Sequence, residues 1–228
     1  MRSTGDQDSS LDDRTTKAKI RDAAIERFAR DGIAGTSLRS VAAQASVAPS
    51  HVIHYFGSKA GLRAACDEHL TAVLRARQDE VVGSGLGVDL AKVLKARAEG
   101  EPPLLRYLAK TLVEPSPEVD ALVDQLVADG ERYMAALVET GVLTPTGDPR
   151  ARAVTMTMWS LGQLALHDQM GRLTGIDFTE PDASPALMAA YTRSVLELFG
   201  PCLLTGAAIT KFHDAFAPTA DATSKESP

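Results

Sequence analysis

The segment SVAPSHVIHYFGSKAGL, residues 46–62, concentrates side chains suited to recognising a nucleic acid. It carries two histidines, His51 and His54, while residues 48–58 include no lysine or arginine. Histidine and serine side chains donate or accept hydrogen bonds, so they can read base edges without a fixed charge, and Ile53 can meet a thymine methyl. Cations that bind the phosphate backbone must then come from neighbouring segments.

The helical repeat divides the stretch PSHVIHYF into an inner and an outer face. Val52 and Phe56 are apolar and four residues apart, so we expect both to face a domain core. The other positions form or flank the outer face, and the start of such a helix usually reaches the base edges. The candidate DNA-contacting residues of this helix are Pro49, Ser50, His51, Ile53, His54 and Tyr55.

Three short helices and a tight turn are predicted to position these residues. Ile20, Ala24 and Phe28 recur at i, i+4 and i+8 and predict a first helix that ends at Gly32. The stretch SLRSVAAQA predicts a second helix, PSHVIHYF predicts a third, and Ser58 can cap a longer fourth helix. Two short helices joined by the turn ASVA make a helix-turn-helix, whose second helix fits the major groove.

The rest of the chain is also predicted to be helical, because prolines and glycines separate apolar segments that lack strand-like alternation. The predicted fold class is therefore all-α, with an N-terminal three-helix domain over residues 14–63 and a helical bundle over residues 64–216. The polar ends, residues 1–13 and 217–228, are predicted to be disordered tails. The predicted helices of the bundle are Val88–Ala98, Leu104–Val113, Pro117–Thr140, Pro149–Leu173, Ser184–Leu204 and Ala207–Phe216.

Charge is distributed unevenly along the 228 residues, whose net charge is −6. Residues 14–63 hold nine Lys/Arg and three Asp/Glu, a local charge of +6, whereas the residues after 63 carry −9. A basic domain on an acidic body is expected when only one of the two contacts phosphate. With no apolar run of about 18 residues, no signal peptide and two isolated cysteines, the sequence predicts a cytoplasmic protein with no membrane contact.

The order FARDGIAGTSLRSVAAQASVAPSHVIHYFGSKAGL resembles the N-terminal DNA-binding domain of the TetR/AcrR family of transcriptional repressors. The resemblance spans Thr16 to about Leu62. It implies a sequence-specific, dimeric repressor that binds a palindromic double-stranded DNA operator and is released by a small molecule. It also implies that Arg39 reaches a base and that Ser37 and Lys59 contact phosphate. A constitutive DNA-binding regulator, or an activator without a ligand, is the alternative.

Three residues depart from the family pattern. Ser46 stands in the turn where the family usually has glycine, which adopts positive φ without penalty, so we expect Ser46 to cost stability. Ala48 replaces a serine or threonine cap, and Ile53 replaces a tyrosine that commonly touches the DNA backbone. These changes bear on affinity and on individual contacts and leave the fold unaffected.

Two segments of the bundle, 149–173 and 184–204, are apolar on nearly every side. Such helices must be covered on several sides, and two from each subunit would form a four-helix homodimer interface. Dimerisation would place two reading helices, the predicted helix PSHVIHYF of each subunit, about 34 Å apart, which is one turn of DNA.

The resemblance further implies a small-molecule site between the helices of this body. Gln163 and His167 lie four residues apart on a largely apolar helix, so either they bond to each other or to backbone, or they face a ligand or the partner subunit. The methionines and aromatic residues of such a set are more often plain core. A mixed lining favours a small apolar effector with one or two polar groups. The candidate ligand-binding residues are Tyr107, Tyr133, Met134, Met156, Trp159, Gln163 and His167.

The sequence lacks the motifs typical of enzymes, including the nucleophile elbow, the phosphate-binding loop, GxGxxG and paired metal motifs. We therefore expect no catalysis and no cofactor. His51 and His54, three residues apart, could bind a metal with Cys66 or His69, but a fourth ligand is not evident. The DNA role of the two histidines is the favoured interpretation.

Overall fold

The computed structural model describes residues 4–85, 102–180 and 184–215. The all-α fold class is confirmed, since these residues form ten α-helices and one isolated β-bridge, between Leu143 and Leu204. The predicted helix Val88–Ala98 and the predicted tail 217–228 lie outside the described residues. The helices are α1 (Thr4–Gly35), α2 (Leu38–Gln44), α3 (Pro49–Phe56), α4 (Lys59–Ser84), α5 (Pro102–Leu112), α6 (Pro117–Glu139), α7 (Pro149–Ala165), α8 (His167–Thr174), α9 (Pro185–Leu203) and α10 (Gly206–Ala215).

Helix α1 begins at Thr4, whereas the sequence predicted a disordered tail over residues 1–13. Between Gly5 and Gly32 the chain contains neither proline nor glycine, so no residue type that ends a helix intervenes. At Gly32 the backbone takes φ 73° and ψ 165°, which interrupts the helix where the sequence predicted its end.

The apolar faces of α1 to α4 meet in one core, which holds α3 in place. Ile20, Ala24 and Phe28 are each at most 1% exposed, and this confirms the inner face that their spacing predicted for the first helix. Ser37 begins α2 as its N-cap and Ser58 begins α4 in the same way. The buried apolar members of this core on α2 to α4 are Val41, Ala42, Val52, Leu62, Cys66 and Leu70.

The same core continues into the body through α5 and α6, so α4 packs against both parts of the molecule. A second cluster forms where the ends of α4, α6 and α9 meet α10, around the buried residues Leu137, Val142, Leu143 and Ala208. Helix α7 lies against α6, and a Cβ atom at Gly130 of α6 would lie 2.9 Å from Thr157 Oγ1 of α7. The small residue therefore allows the two helices to approach closely.

The segment predicted as one helix over residues 149–173 is two helices, with the break at Leu166. Leu166 has φ −105° and ψ 31°, outside the helical range. His167, the first residue of α8, pairs with Asp177 in the loop that follows this helix, and the pair ties both ends of α8 together. Within the described ranges, no helix is both long enough and apolar enough to cross a membrane.

Candidate nucleic-acid interface

Helix α3 is fixed to the core by its inner face and leaves its outer face open to solvent. Val52 is fully buried, and Phe56 is half-buried against the same core. Tyr55, which the sequence placed at the flank, is also half-buried, and its ring packs against those of His54 and Phe56 at 5.2 and 6.4 Å between centroids. The exposed residues of the helix are Pro49, Ser50, His51, Ile53 and His54.

The turn before α3 contains the strain that the sequence predicted. Ser46 has φ 56°, the left-handed region that disfavours a residue with a Cβ atom. Ala48 precedes the helix with extended backbone and makes no side-chain cap, while Pro49 occupies the first turn, where a missing N–H has no cost. The start of α3 therefore has backbone N–H groups that are free of a capping side chain.

The end of α3 turns sharply into α4. Gly57 has φ 71°, and the ammonium of Lys17 lies 5.8 Å from the ring centroid of Phe56. Lys17 is exposed and belongs to the first helix, so it brings a cation to the end of the reading helix.

Helix α2 supplies a second set of predicted contacts. The Ser37 hydroxyl accepts a hydrogen bond from the Ser40 backbone N–H at 3.1 Å, and the Ser40 hydroxyl accepts one from the Ser37 N–H at 3.1 Å. This capping box fixes the start of α2. Arg39 lies exposed in the first turn, beside the N-terminal end of the helix. A guanidinium held there can reach either a phosphate or a base edge.

The cations around α3 differ in how far they are already engaged. Lys59 is half-buried and its ammonium donates to the Ala34 carbonyl at 3.2 Å. Arg30 and Arg27 both hydrogen-bond to Asp31, and these bonds lower the pKa of that carboxyl group. Arg39 and Lys17 are exposed, so both can offer positive charge to phosphate.

Comparisons with known proteins agree with this geometry. Residues 20–66 match the family model for bacterial regulatory proteins of the tetR family, and residues 99–205 match that for the tetracyclin repressor-like C-terminal domain. The HTH-type transcriptional regulatory protein RaaS of Mycobacterium tuberculosis is 36% identical over 159 residues, which cover 69% of this chain and 74% of RaaS. This chain belongs to the TetR family of transcriptional regulators. Family membership makes it a DNA-binding regulator and confirms that it is not an enzyme.

Solved structures share the fold of this TetR-family regulator. NalD, the secondary repressor of the MexAB-OprM multidrug efflux pump in Pseudomonas aeruginosa, aligns with a TM-score of 0.55 and 23% identity over 86% of this chain and 98% of NalD. CprB of Streptomyces coelicolor, solved in complex with its biological operator sequence, aligns with a TM-score of 0.56 and 17% identity over 90% of this chain and 96% of CprB. At these identities the likeness supports the fold alone.

The candidate ligand-binding residues of the regulator lie in three different places. Tyr107 is fully buried in the main core, beside the ring of Phe28 at 6.0 Å between centroids, and its hydroxyl donates to Asp67. Tyr133 and Met134 pack in the second cluster. The remaining four are half-buried on α7 and the start of α8: Met156, Trp159, Gln163 and His167. Of these, Trp159 contacts Phe199 and Gln163 contacts Tyr191, both on α9.

Gln163 and His167, for which the sequence left several partners open, both contact other side chains. The Gln163 amide oxygen accepts from the Tyr191 hydroxyl of α9, and its nitrogen donates to the Trp159 carbonyl at 3.3 Å. The Nδ1 atom of His167 lies 3.2 Å from a carboxylate oxygen of Asp177. Burial alone would raise the pKa of Asp177, but hydrogen bonds from Thr179 and His167 lower it overall.

The spacing of His51 and His54 left open a metal site shared with Cys66 or His69. His51 and His54 are exposed while Cys66 is fully buried, so these three do not form one coordination site. Among the described residues, His167, Asp168 and Asp177 bring their ligand atoms within 4.8 Å of one another. One oxygen of Asp177 already accepts hydrogen bonds from the backbone and hydroxyl of Thr179, at 2.8 and 2.7 Å, which leaves a weak set of donors.

A group of polar residues that join α4 to the body was not among the predicted site residues. Arg63 and Asp67 lie one turn apart on α4, and Arg75 follows two turns later. Asp129 on α6 is 4% exposed and accepts from Arg75 Nε at 2.8 Å. The sequence signal for this contact was the position of Asp129 on the apolar side of α6, in line with Leu126, because a buried carboxylate requires a partner.

Proposed function

We propose that this regulator is a dimeric repressor that binds a palindromic operator and releases it when a small molecule binds the body. The observation that carries the proposal is the outer face of α3. Its five exposed residues contain hydrogen-bonding groups and apolar side chains but no lysine or arginine. Arg39 is exposed in the first turn of the preceding helix α2, and Lys17 lies by the Phe56 ring at the end of α3. Uncharged groups for bases and separate cations for phosphates are the requirements of sequence-specific binding.

Exposed apolar side chains support a homodimer. Val154 and Met158, one turn apart on α7, are 38% and 41% exposed. Leu187 and Leu198, three turns apart on α9, are 42% and 73% exposed. Apolar stripes on two neighbouring helices are typical of a surface that a second subunit covers. Two half-sites of an operator then require the two reading helices of the dimer.

The opposite side of α7 supports an effector site facing α9. Met156, Trp159 and Gln163 lie roughly half a turn from the exposed stripe. Trp159 packs on Phe199 at 5.1 Å between centroids, and the Gln163 amide accepts from Tyr191. A half-buried aromatic group around one amide suits an apolar molecule with a polar substituent. His167 would border this site, whereas Tyr107 has a core position.

The test is fluorescence anisotropy with labelled DNA from upstream of the gene, titrated with protein and with salt, against a scrambled competitor. We expect nanomolar binding that survives the competitor, with two chains per operator and a steep decrease with salt. Equal binding to operator and scrambled DNA would contradict sequence-specific regulation. If the DNA upstream of the gene does not bind, an operator is first selected from random-sequence DNA, and the titration is then repeated with the selected sequence.

The alternative is a constitutive regulator or an activator without an effector. A screen of small apolar compounds on the protein–DNA complex distinguishes it from the proposal. We expect some compounds to release the DNA, and Trp159→Ala to remove that response while it preserves operator binding. A matched control is Trp159→Phe, which retains the aromatic contact with Phe199. If a broad screen finds no compound that releases the DNA, the alternative of a regulator without an effector is favoured.

A further inference from the structure

Helix α4 connects the reading helix to the body, so its position sets where the reading helix lies. Its first turns belong to the main core, where Leu62 and Cys66 are fully buried. Its last residues, Val81 and Val82, pack in the second cluster. The sharp turn at Gly57 joins the end of α3 to the start of α4. A shift of α4 relative to α6 must therefore also move α3.

Polar contacts hold α4 to the body near the DNA-binding end. The Arg63 guanidinium donates to the Ser116 hydroxyl at 3.3 Å and lies 3.5 Å from the Glu118 carboxylate. The Tyr107 hydroxyl donates to Asp67, one turn along α4. Glu118 is exposed, whereas Arg63, Asp67 and Tyr107 are largely buried. Separating α4 from the body would therefore leave the Tyr107 hydroxyl buried without its partner.

The contact in the middle of α4 has a different character. Asp129 is buried and accepts from Arg75 of α4, but it also accepts from Gln125 at 2.9 Å and from Arg132, both on its own helix. Arg75 is 42% exposed. If α4 moved away, Asp129 would retain two donors and Arg75 would reach water, so neither charge would be left buried alone. The pair can therefore open at a lower cost than the buried contact between Tyr107 and Asp67.

The pair also lies beside the contact between α6 and α7. Gly130, the residue after Asp129, is the point where α6 approaches Thr157 of α7. Helix α7 carries the side chains of the proposed effector site and the proposed dimer surface. A displacement of α7 thus acts on α6 next to the residue that holds α4.

We propose that Arg75 and Asp129 form a positioning pair that sets the placement of α4, and through it the spacing of the two reading helices, and that opens when the operator is released. This inference rests on the proposed dimeric repressor. A buried ion pair is weak evidence for stability, because apolar residues of similar size often serve as well. A hydrogen-bonded ion pair between two helices favours one relative position of those helices, and a second position becomes accessible when the pair opens.

The test compares Arg75→Gln with the conservative Arg75→Lys and with a control, Arg150→Gln. Arg150 forms an exposed pair with Glu131 at 3.3 Å, between α7 and the outer side of α6. Operators with the native spacing and with two base pairs added or removed are titrated with each protein. We expect Arg75→Gln to lose at least about fivefold in affinity for native spacing and less for altered spacing. Arg75→Lys should recover part of the loss, and the control should match the wild type.

A second readout separates positioning from general destabilisation and does not require DNA. Ala43→Cys, exposed on α2, carries a nitroxide label in a Cys202→Ser background, and pulsed EPR measures the distance between the two labels of the dimer. We expect the distance distribution to shift or broaden in Arg75→Gln and to stay unchanged in Arg150→Gln. An unchanged distribution together with an equal affinity loss at every spacing would overturn the proposal. Failure of the proposed repressor function is distinct, since the wild type itself would then bind scrambled DNA as well as the operator.

Discussion

A Cβ atom at Gly61 would lie 2.1 Å from the carbonyl oxygen of Phe56, far inside van der Waals contact. Gly61 is in the first turn of α4, where its N–H donates to the Ser58 hydroxyl at 3.1 Å. Only a residue without a side chain lets α4 begin directly beneath the end of α3. The glycine therefore fixes the angle between the reading helix and the helix that leads to the body.

Gly61→Ala is expected to lower the free energy of unfolding by about 1–3 kcal/mol, because the obstructing atom belongs to the backbone and cannot rotate away. Urea denaturation measures this change. The matched control is Gly83→Ala in the same helix, where an added Cβ meets nothing within 4 Å. The control should be neutral or stabilising. A Gly61→Ala protein as stable as the control would contradict the proposed close approach.

Ser46→Gly is expected to raise the free energy of unfolding by about 0.5–1 kcal/mol, because Ser46 has φ 56° and glycine removes that penalty. Thermal unfolding at fixed protein concentration checks the gain. Ala45→Gly, one residue earlier at φ −73°, is the control and should lose stability, since alanine is not strained there. A loss in both variants would mean that the turn carries no strain.

The three helices of the reading domain were predictable because their signals are local. The spacing of Ile20, Ala24 and Phe28 identified the buried face, and Ser58 marked the start of the fourth helix, which the structure confirms. Even the strain at Ser46 followed from one residue type at one turn position. Apolar periodicity and capping depend on neighbours within a few residues, so a sequence suffices.

The body was less predictable because its decisive contacts join distant segments. The break at Leu166 has no proline or glycine to announce it, and it coincides with a pair between His167 and the loop residue Asp177. Arg75 and Asp129 are 54 positions apart in the chain, and a single sequence does not indicate which distant residues pair. The candidate effector residues were dispersed for the same reason, as types alone do not separate core from site.

Arg39→Ala is expected to weaken specific operator binding by more than about 1 kcal/mol, because Arg39 is the exposed cation at the start of α2 and α3 contains no lysine or arginine. Anisotropy at two salt concentrations measures the loss. A base contact would reduce discrimination against scrambled DNA, whereas a phosphate contact would lower binding to both DNAs and flatten the salt slope. The control is Arg172→Ala, exposed on α8. Unchanged affinity for Arg39→Ala would remove this residue from the interface.

The two cysteines are expected to differ in reactivity in the folded protein. Burial, followed by the neighbouring Asp67, raises the pKa of the Cys66 thiol to about 12, while Cys202 is exposed. Because the thiolate is the reactive form, iodoacetamide at pH 8 should add at most one group, on Cys202, to the folded protein and two in denaturant, as read by intact mass. Cys202→Ser should take no label when folded. Labelling of Cys66 at the rate of Cys202 would contradict its burial.

Leu198→Lys is expected to convert the proposed dimer to monomer, because Leu198 is 73% exposed on the α9 stripe and an ammonium there would be buried by the second subunit of that dimer. Sedimentation at several protein concentrations measures the change. Val113→Lys is the matched control, since Val113 is 55% exposed just after α5, away from the stripe, and should leave the assembly unchanged. The monomer should also lose cooperative binding to a two-half-site operator while its helical content is preserved, because one reading helix contacts only one half-site. A dimer that survives in both variants would place the subunit contact elsewhere on the molecule.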